Sequence, residues 1–166
     1  MRIMMFFGAL CSILLLFTLS FTDITEARSA DNESIARGKY LVNQSGCNDC
    51  HSPGYAFSDG NTPEDSWLTG DAIGWRGPWG TTYASNLRMI VPKLTQEQWL
   101  AYAKNLKTRP PMPWYNLSKM KDEDLRAIYQ FIAYLGPAGD PAPAYAPPDQ
   151  EPKTPYILFP SPPTQK

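Results

Sequence analysis

The sequence is poor in residues that bind transition metals. Its 166 residues include one histidine, His51, and three cysteines. A structural zinc site needs about four cysteine or histidine ligands. With Cys11 inside an apolar N-terminal run, only Cys47, Cys50 and His51 remain, so a carboxylate or a second subunit would have to complete a zinc site. The single histidine also excludes a metal held by two histidines of one chain.

The chain also lacks an excess of charge and the motifs of several common functions. It carries 15 basic and 16 acidic residues, and removal of residues 1–27 would leave 14 of each. This balance argues against binding of nucleic acid. No phosphate-binding glycine loop, nucleophile–base pair, heptad pattern or internal repeat stands out in the sequence. The length predicts one ordinary domain.

The N-terminal residues follow the order of a secretory signal peptide. Arg2 comes first, an apolar run covers residues 3–21, and small residues follow up to Ala27. This order predicts a signal peptide over residues 1–27 and export to the periplasm. Two alternatives stay open: an uncleaved membrane anchor, because the apolar run approaches the length of a membrane span, and a lipoprotein site at Cys11.

The residues Cys47-Asn48-Asp49-Cys50-His51 form a Cys-x-x-Cys-His motif, which is typical of covalent haem c attachment. Each thiol can add to one haem vinyl group, and the histidine that follows can bind the iron from below. The alternatives are a plain disulfide, part of a zinc site and a thioredoxin-like pair. The last needs a strand before its helix, whereas this motif follows a helix-like segment.

A second axial ligand has to come from another residue type, and methionine is the candidate. Met112 lies in Arg109-Pro110-Pro111-Met112-Pro113-Trp114, where the prolines restrict the backbone and exclude helix. Such a stiff loop holds a thioether at low entropic cost. The alternatives are Met89, Met120 and an open or water-bound site. Histidine with methionine raises the reduction potential and favours electron transfer.

Periodicity and capping signals predict three main helices. Residues 31–46 have apolar and small residues on one face and a glycine at the end. Residues 95–106 begin with a capping box of Thr95 and Gln98. The last helix begins near Asp122 with acidic residues and extends to Leu135, before a glycine and a proline.

The stretch between the motif and the second helix, residues 52–92, is rich in glycine and proline. It predicts ordered loops with a short capped helix over residues 62–68. Its aromatic residues either cover a haem edge or pack in the core; they are Trp67, Trp75, Trp79, Tyr55, Phe57 and Tyr83.

The C-terminal residues 137–166 include ten prolines. This composition favours extended chain without a packed core, so it predicts a tail or linker. The apolar patch at residues 156–159 is expected to dock on the protein's own surface or on a partner.

The order of these features resembles the class I cytochrome c family from Asp31 to Gly136. Residues 37–42 before the motif, and the segment around Met112, are similar to cytochrome domains that serve periplasmic dehydrogenases. The resemblance implies an all-α fold with one haem c, in which the first and last helices cross near Gly38. It also implies a backbone carbonyl that fixes the His51 ring, from Gly77-Pro78 or from the residues just before Asn86-Leu87.

The predicted organisation is therefore a signal peptide at 1–27, a cytochrome c domain at 31–136 and a proline-rich tail at 137–166. The predicted function is periplasmic electron transfer by one haem c, attached through Cys47 and Cys50, and not enzymatic catalysis. The expected partners are redox proteins: a dehydrogenase or respiratory donor, and an oxidase or another cytochrome. The membrane is an expected partner only if the signal segment is not cleaved. The alternative is a peroxidase-like enzyme or a gas sensor with an open sixth position.

Overall fold

The computed structural model describes residue 29 and residues 31–160. The signal peptide predicted at residues 1–27 and the lipoprotein alternative at Cys11 therefore lie outside the described residues. No helix in the described part is both long enough and apolar enough to cross a membrane. This part of the chain is mostly helical, with α1 (31–44), α2 (Cys47–His51), α3 (Leu87–Ile90), α4 (Gln96–Asn105), α5 (Trp114–Lys119) and α6 (Asp122–Leu135).

The three helices that the sequence predicts are present as α1, α4 and α6. Helix α1 ends two residues early, because residues 45 and 46 form a turn. Helix α4 begins with the predicted capping box, in which Thr95 and Gln98 each accept the other's backbone N–H. Helix α6 ends at Gly136, whose φ is 68°. The predicted short helix at 62–68 is only a 3-10 turn over Glu64–Ser66.

Helices α1 and α6 cross at Gly38, as the resemblance implies. A Cβ atom at Gly38 would lie 2.0 Å from the Ala127 carbonyl oxygen and 2.7 Å from the Phe131 Cβ atom. The two backbones therefore approach closely only because Gly38 has no side chain. Next to the crossing, Arg37 on α1 donates to the Asp124 carboxylate on α6 at 2.9 Å.

The hydrophobic core lies between these helices and the loops that follow α2. The apolar stripe of α6 faces this core, since Leu125, Ile128 and Ile132 are buried. Phe131 of α6 also belongs to the core, and the remaining members come from α1, α4 and the segments between the helices: Val42, Trp67, Leu68, Val91, Trp99 and Ala103.

A small three-stranded sheet corrects the all-α prediction. Its strands are β1 (Gly74–Gly77), β2 (Gly80–Tyr83) and β3 (Tyr156–Leu158), in the order β2-β1-β3. Strands β1 and β2 form an antiparallel hairpin, and β3 pairs with β1 in parallel. The glycines and prolines of residues 52–92 predict loops. In the structure, some of them form the turn between β1 and β2, two short strands rich in threonine and aromatic residues.

The proline-rich segment packs against the rest of the chain as far as residue 160. Its patch at 156–159 supplies β3, so the docking of the patch on the protein's own surface is confirmed. Ala146 is buried and exchanges two backbone hydrogen bonds with Thr81, at 2.7 and 3.0 Å. The segment is extended, as its prolines predict, but it is not a free linker over its described residues.

Candidate haem-binding site

Helix α2 presents the Cys-x-x-Cys-His motif on one side of a cavity. Gly46 separates α1 from α2 with a φ of 68°, a left-handed conformation that glycine adopts without strain. The chain can therefore change direction immediately before Cys47. Cys47 and Cys50 lie one helical turn apart on the same face, and both line the cavity together with His51.

A buried polar network holds α2 from behind. The Asn48 side chain is fully buried and donates to the Asn43 side-chain oxygen at 2.7 Å. The Ser52 hydroxyl, also buried, donates to the Asn48 oxygen at 2.7 Å. That hydroxyl oxygen accepts the Leu68 N–H at 2.8 Å. Sequence reasoning missed this network, because polar residues inside a motif also occur at solvent-facing positions.

The orientation of the His51 ring is fixed by a backbone carbonyl. The Nδ1 atom of His51 lies 2.7 Å from the Ser85 carbonyl oxygen. Since a carbonyl only accepts, Nδ1 carries the proton and Nε2 keeps its lone pair for a metal. Of the two expected sources, the structure therefore selects the residue just before Asn86-Leu87. Burial lowers the pKa of His51, against the opposing effect of the Ser85 hydrogen bond, and so favours the neutral imidazole that binds metals.

The two cysteine side chains are half-buried and are not joined to each other by a disulfide. Burial raises the pKa of Cys47 to about 11, with a smaller contribution from the negative charge of Asp49. Burial and then Asp49 also raise the pKa of Cys50. In the part of the chain that the structure describes, no three or more His, Cys, Asp or Glu side chains form a group that would hold a metal ion.

The cavity has a volume of about 420 Å³. This volume falls within the range of roughly 300–1,000 Å³ that is typical of cofactor sites. The buried indole of Trp99 forms part of its wall and donates to the Leu125 carbonyl at 2.8 Å. The other apolar and aromatic walls come from Val42, Trp75, Leu87, Ile90, Leu106, Leu117, Ile128 and Ile132.

The aromatic residues of the region between the motif and α4 have different roles. Trp75 and Tyr83 line the cavity, as expected of residues that cover a haem edge. Trp67 belongs to the hydrophobic core. Trp79 instead contacts the C-terminal segment, through Phe159.

Two of the three candidate methionines, Met112 and Met120, line the cavity, and Met89 does not. The loop before Met112 is tied to the hairpin, because the Thr82 hydroxyl donates to the Pro110 carbonyl at 2.7 Å. After the loop, the Trp114 N–H donates to the Met112 carbonyl at 2.9 Å and leads into α5. Nothing in the sequence indicates a contact between Thr82 and this loop, so this hydrogen bond was not predicted.

The residues fit a covalently attached haem. Two thiols on one helix face, an imidazole held by a carbonyl and a mostly apolar cavity are the groups that such a cofactor needs. A family model described as cytochrome c matches residues 35–136, which is more than half of the chain. Searches among curated proteins and among solved structures found no match. The chain belongs to the cytochrome c family, a family of haem-based electron-transfer proteins, and its cofactor is haem c attached covalently through Cys47 and Cys50.

Proposed function

We propose that this protein is a periplasmic electron carrier whose haem iron is bound by His51 and Met112. One observation carries the proposal: these two side chains, from segments 61 positions apart in sequence, line the same cavity as the two cysteines. The haem supplies the one-electron couple between Fe(II) and Fe(III). The protein's own contribution is to hold two ligands in place and to keep water away from the iron.

The side chains around the cavity are suited to that contribution. The Ser85 carbonyl keeps His51 in one orientation and one tautomer, at an Nδ1 to oxygen distance of 2.7 Å. Thr82 anchors the loop that carries Met112. Apolar walls limit the change in solvation when the charge on the iron changes, which favours rapid electron transfer. Ligation by histidine and methionine raises the reduction potential.

The surroundings of the three methionines support Met112 over the others. Met89 does not line the cavity. Met120 packs against the hydrophobic core, and its carbonyl accepts a hydrogen bond from the Lys104 ammonium group at 2.5 Å. Met112 lies in a loop that leads directly into the cavity wall, and it is not among the residues that pack against the core cluster.

The location and the partners of the carrier are also part of the proposal. Residues 1–27 contain a charged residue, then an apolar run and then small residues, and this order supports export to the periplasm. There the protein would accept electrons from a dehydrogenase or another respiratory donor and pass them to an oxidase or a second cytochrome. The likeness of the segments around Gly46 and Met112 to cytochrome domains of periplasmic dehydrogenases supports a dehydrogenase as the donor.

Replacement of the methionines one at a time tests the ligand assignment. Met112→Ala is expected to lose the weak sulfur-to-iron band of the oxidised protein, to lower the reduction potential and to bind carbon monoxide readily when reduced. Met120→Leu and Met89→Leu are the matched controls, and both are expected to keep the band. The assignment is wrong if Met120→Leu loses the band and Met112→Ala keeps it. If the unaltered protein binds carbon monoxide as readily as Met112→Ala, the iron has an open position and the carrier function fails.

A further inference from the structure

The C-terminal strap, defined here as residues 145–159, is bound to the hairpin that forms one wall of the haem cavity. Strand β3 pairs with β1, with Trp75 opposite Ile157. The Gly74 N–H donates to the Pro155 carbonyl at 2.8 Å. The Phe159 ring packs on Trp75 with ring centroids 6.0 Å apart. Since Trp75 lines the cavity, the strap supports that wall from its outer side.

Arg76 on β1 holds the middle of the strap with its side chain. Its guanidinium donates to the Gln150 carbonyl at 2.8 Å and forms an ion pair with Glu151 at 3.1 Å. It also lies over the Tyr156 ring, 5.6 Å from the ring centroid. The Arg76 side chain is only 17% exposed, but that of Glu151 is 67% exposed, so the ion pair alone contributes little and Arg76 acts through its several contacts together.

The other end of the strap reaches the loop that carries Met112. The Tyr145 hydroxyl donates to the Trp79 carbonyl at 2.9 Å. The Arg109 guanidinium lies over the Tyr145 ring, 3.8 Å from its centroid. Arg109 is followed by Pro110, whose carbonyl accepts the Thr82 hydroxyl from the hairpin. The Met112 loop is therefore held by the hairpin on one side and by the strap on the other.

We propose that the C-terminal strap is a positioning element of the haem site: through Tyr145 and Arg76 it joins the hairpin to the Met112 loop and keeps the Met112 thioether on the iron. This inference rests on the proposed function, because it takes Met112 as the second axial ligand. Residues 145–159 lie beyond the part of the chain that the family model matches, 35–136.

The Met112 loop can open locally while the rest of the domain stays folded. A loop that lies outside helices and strands opens with a smaller free energy than the whole domain. Each contact with the strap that exists only in the closed loop raises that free energy. Loss of the Tyr145 contacts should therefore increase the population in which Met112 has left the iron. An increase of about tenfold corresponds to about 1.4 kcal/mol, which is reasonable for one cation–π contact and one hydrogen bond.

The test uses the full-length protein with its haem attached and compares Tyr145→Leu with Tyr134→Leu. Tyr134 on α6 is 65% exposed and does not line the cavity, which makes it a matched control. Tyr145→Leu is expected to bind carbon monoxide about tenfold more tightly than the unaltered protein, and Tyr134→Leu is expected to be unchanged. In urea, the sulfur-to-iron band of Tyr145→Leu should disappear at a lower concentration than the band of the unaltered protein, while the midpoint of the helical circular dichroism signal changes little.

Two further variants separate positioning from general stability. Tyr145→Phe keeps the ring beneath Arg109 and removes only the hydroxyl, so its carbon monoxide affinity should lie between those of the unaltered protein and Tyr145→Leu. Arg76→Leu should weaken the band as Tyr145→Leu does. The inference is overturned if Tyr145→Leu and Arg76→Leu bind carbon monoxide as the unaltered protein does. It is also overturned if the sulfur-to-iron band of these two variants is lost in urea only when the helical circular dichroism signal is lost. Failure of the ligand assignment is distinct, because the unaltered protein would then lack the band or Met112→Ala would keep it.

Discussion

At the scale of single residues, the site depends on groups that lie behind the metal ligands. Asn48 stands between the two cysteines, yet its amide is fully buried and connects Asn43 to Ser52. A buried amide that loses a partner leaves a donor or an acceptor unsatisfied, which costs about 1–3 kcal/mol. The network therefore fixes the angle at which α2 presents Cys47, Cys50 and His51 to the cavity.

Asn48→Ala is expected to lower the free energy of unfolding of the haem-bound protein by about 1–3 kcal/mol, because Asn43 and Ser52 lose their partner. Urea unfolding followed by circular dichroism measures this change. Asp49→Ala is the matched control, since Asp49 occupies the neighbouring position of the motif and is exposed. Equal stability of Asn48→Ala and Asp49→Ala would contradict the structural role of the network.

The residues of the site differ in how far the sequence can predict them. The motif predicts Cys47, Cys50 and His51 because covalent attachment fixes their spacing. The prolines around Met112 indicate a stiff ligand loop. Ser85 contributes through its backbone carbonyl, which every residue type possesses, so its side chain carries no signal. Only the fold decides which carbonyl reaches the His51 ring.

At the scale of helices and strands, the crossing of α1 and α6 sets the shape of the core. Gly38 lies where the two helices meet, and the space for its Cβ atom is occupied by the Ala127 carbonyl. Insertion of even one methyl group forces packed elements apart, which typically costs about 1–3 kcal/mol. The position of α6 would change with it, and α6 supplies Ile128 and Ile132 to the cavity wall.

Gly38→Ala is accordingly expected to destabilise the protein by about 1–3 kcal/mol, although alanine is the better helix former. The midpoint of urea unfolding gives the change. Glu33→Ala, at an exposed position of the same helix, is the control and should have little effect. If Gly38→Ala is as stable as the unaltered protein, the close approach of the two backbones is not required.

Helices and strands also differ in how far the sequence predicts them. Helix α4 has a local signal in its capping box. Helix α6 has one in its acidic first turn, which an apolar stripe follows. Helices α3 and α5 have only four and six residues, too few for a periodic pattern. Strand β3 pairs with β1 from about 80 positions away, and no local pattern encodes such a contact.

At the scale of the whole molecule, distant segments meet around one cavity. Helix α2 brings the attachment residues, the hairpin brings Trp75 and Tyr83, and the loop before α5 brings Met112. The C-terminal strap, residues 145–159, holds the hairpin and the Met112 loop together. The family model matches residues 35–136, and the strap lies beyond that match. Near-equal numbers of acidic and basic residues predict that the molecule has no dominant electrostatic field of one sign to attract the proposed redox partners.

The central claim is that the iron of a covalently attached haem has both axial positions filled, by His51 and Met112. The measurement to make is the absorption spectrum of the protein, oxidised and reduced, produced in a host that attaches haem c. The same sample is then denatured to test the covalent attachment. We expect a sharp low-spin reduced spectrum, a weak sulfur-to-iron band when oxidised, and haem that stays with the denatured chain. A high-spin spectrum would contradict the carrier function in favour of an enzyme or a gas sensor, and haem that separates on denaturation would contradict attachment through Cys47 and Cys50.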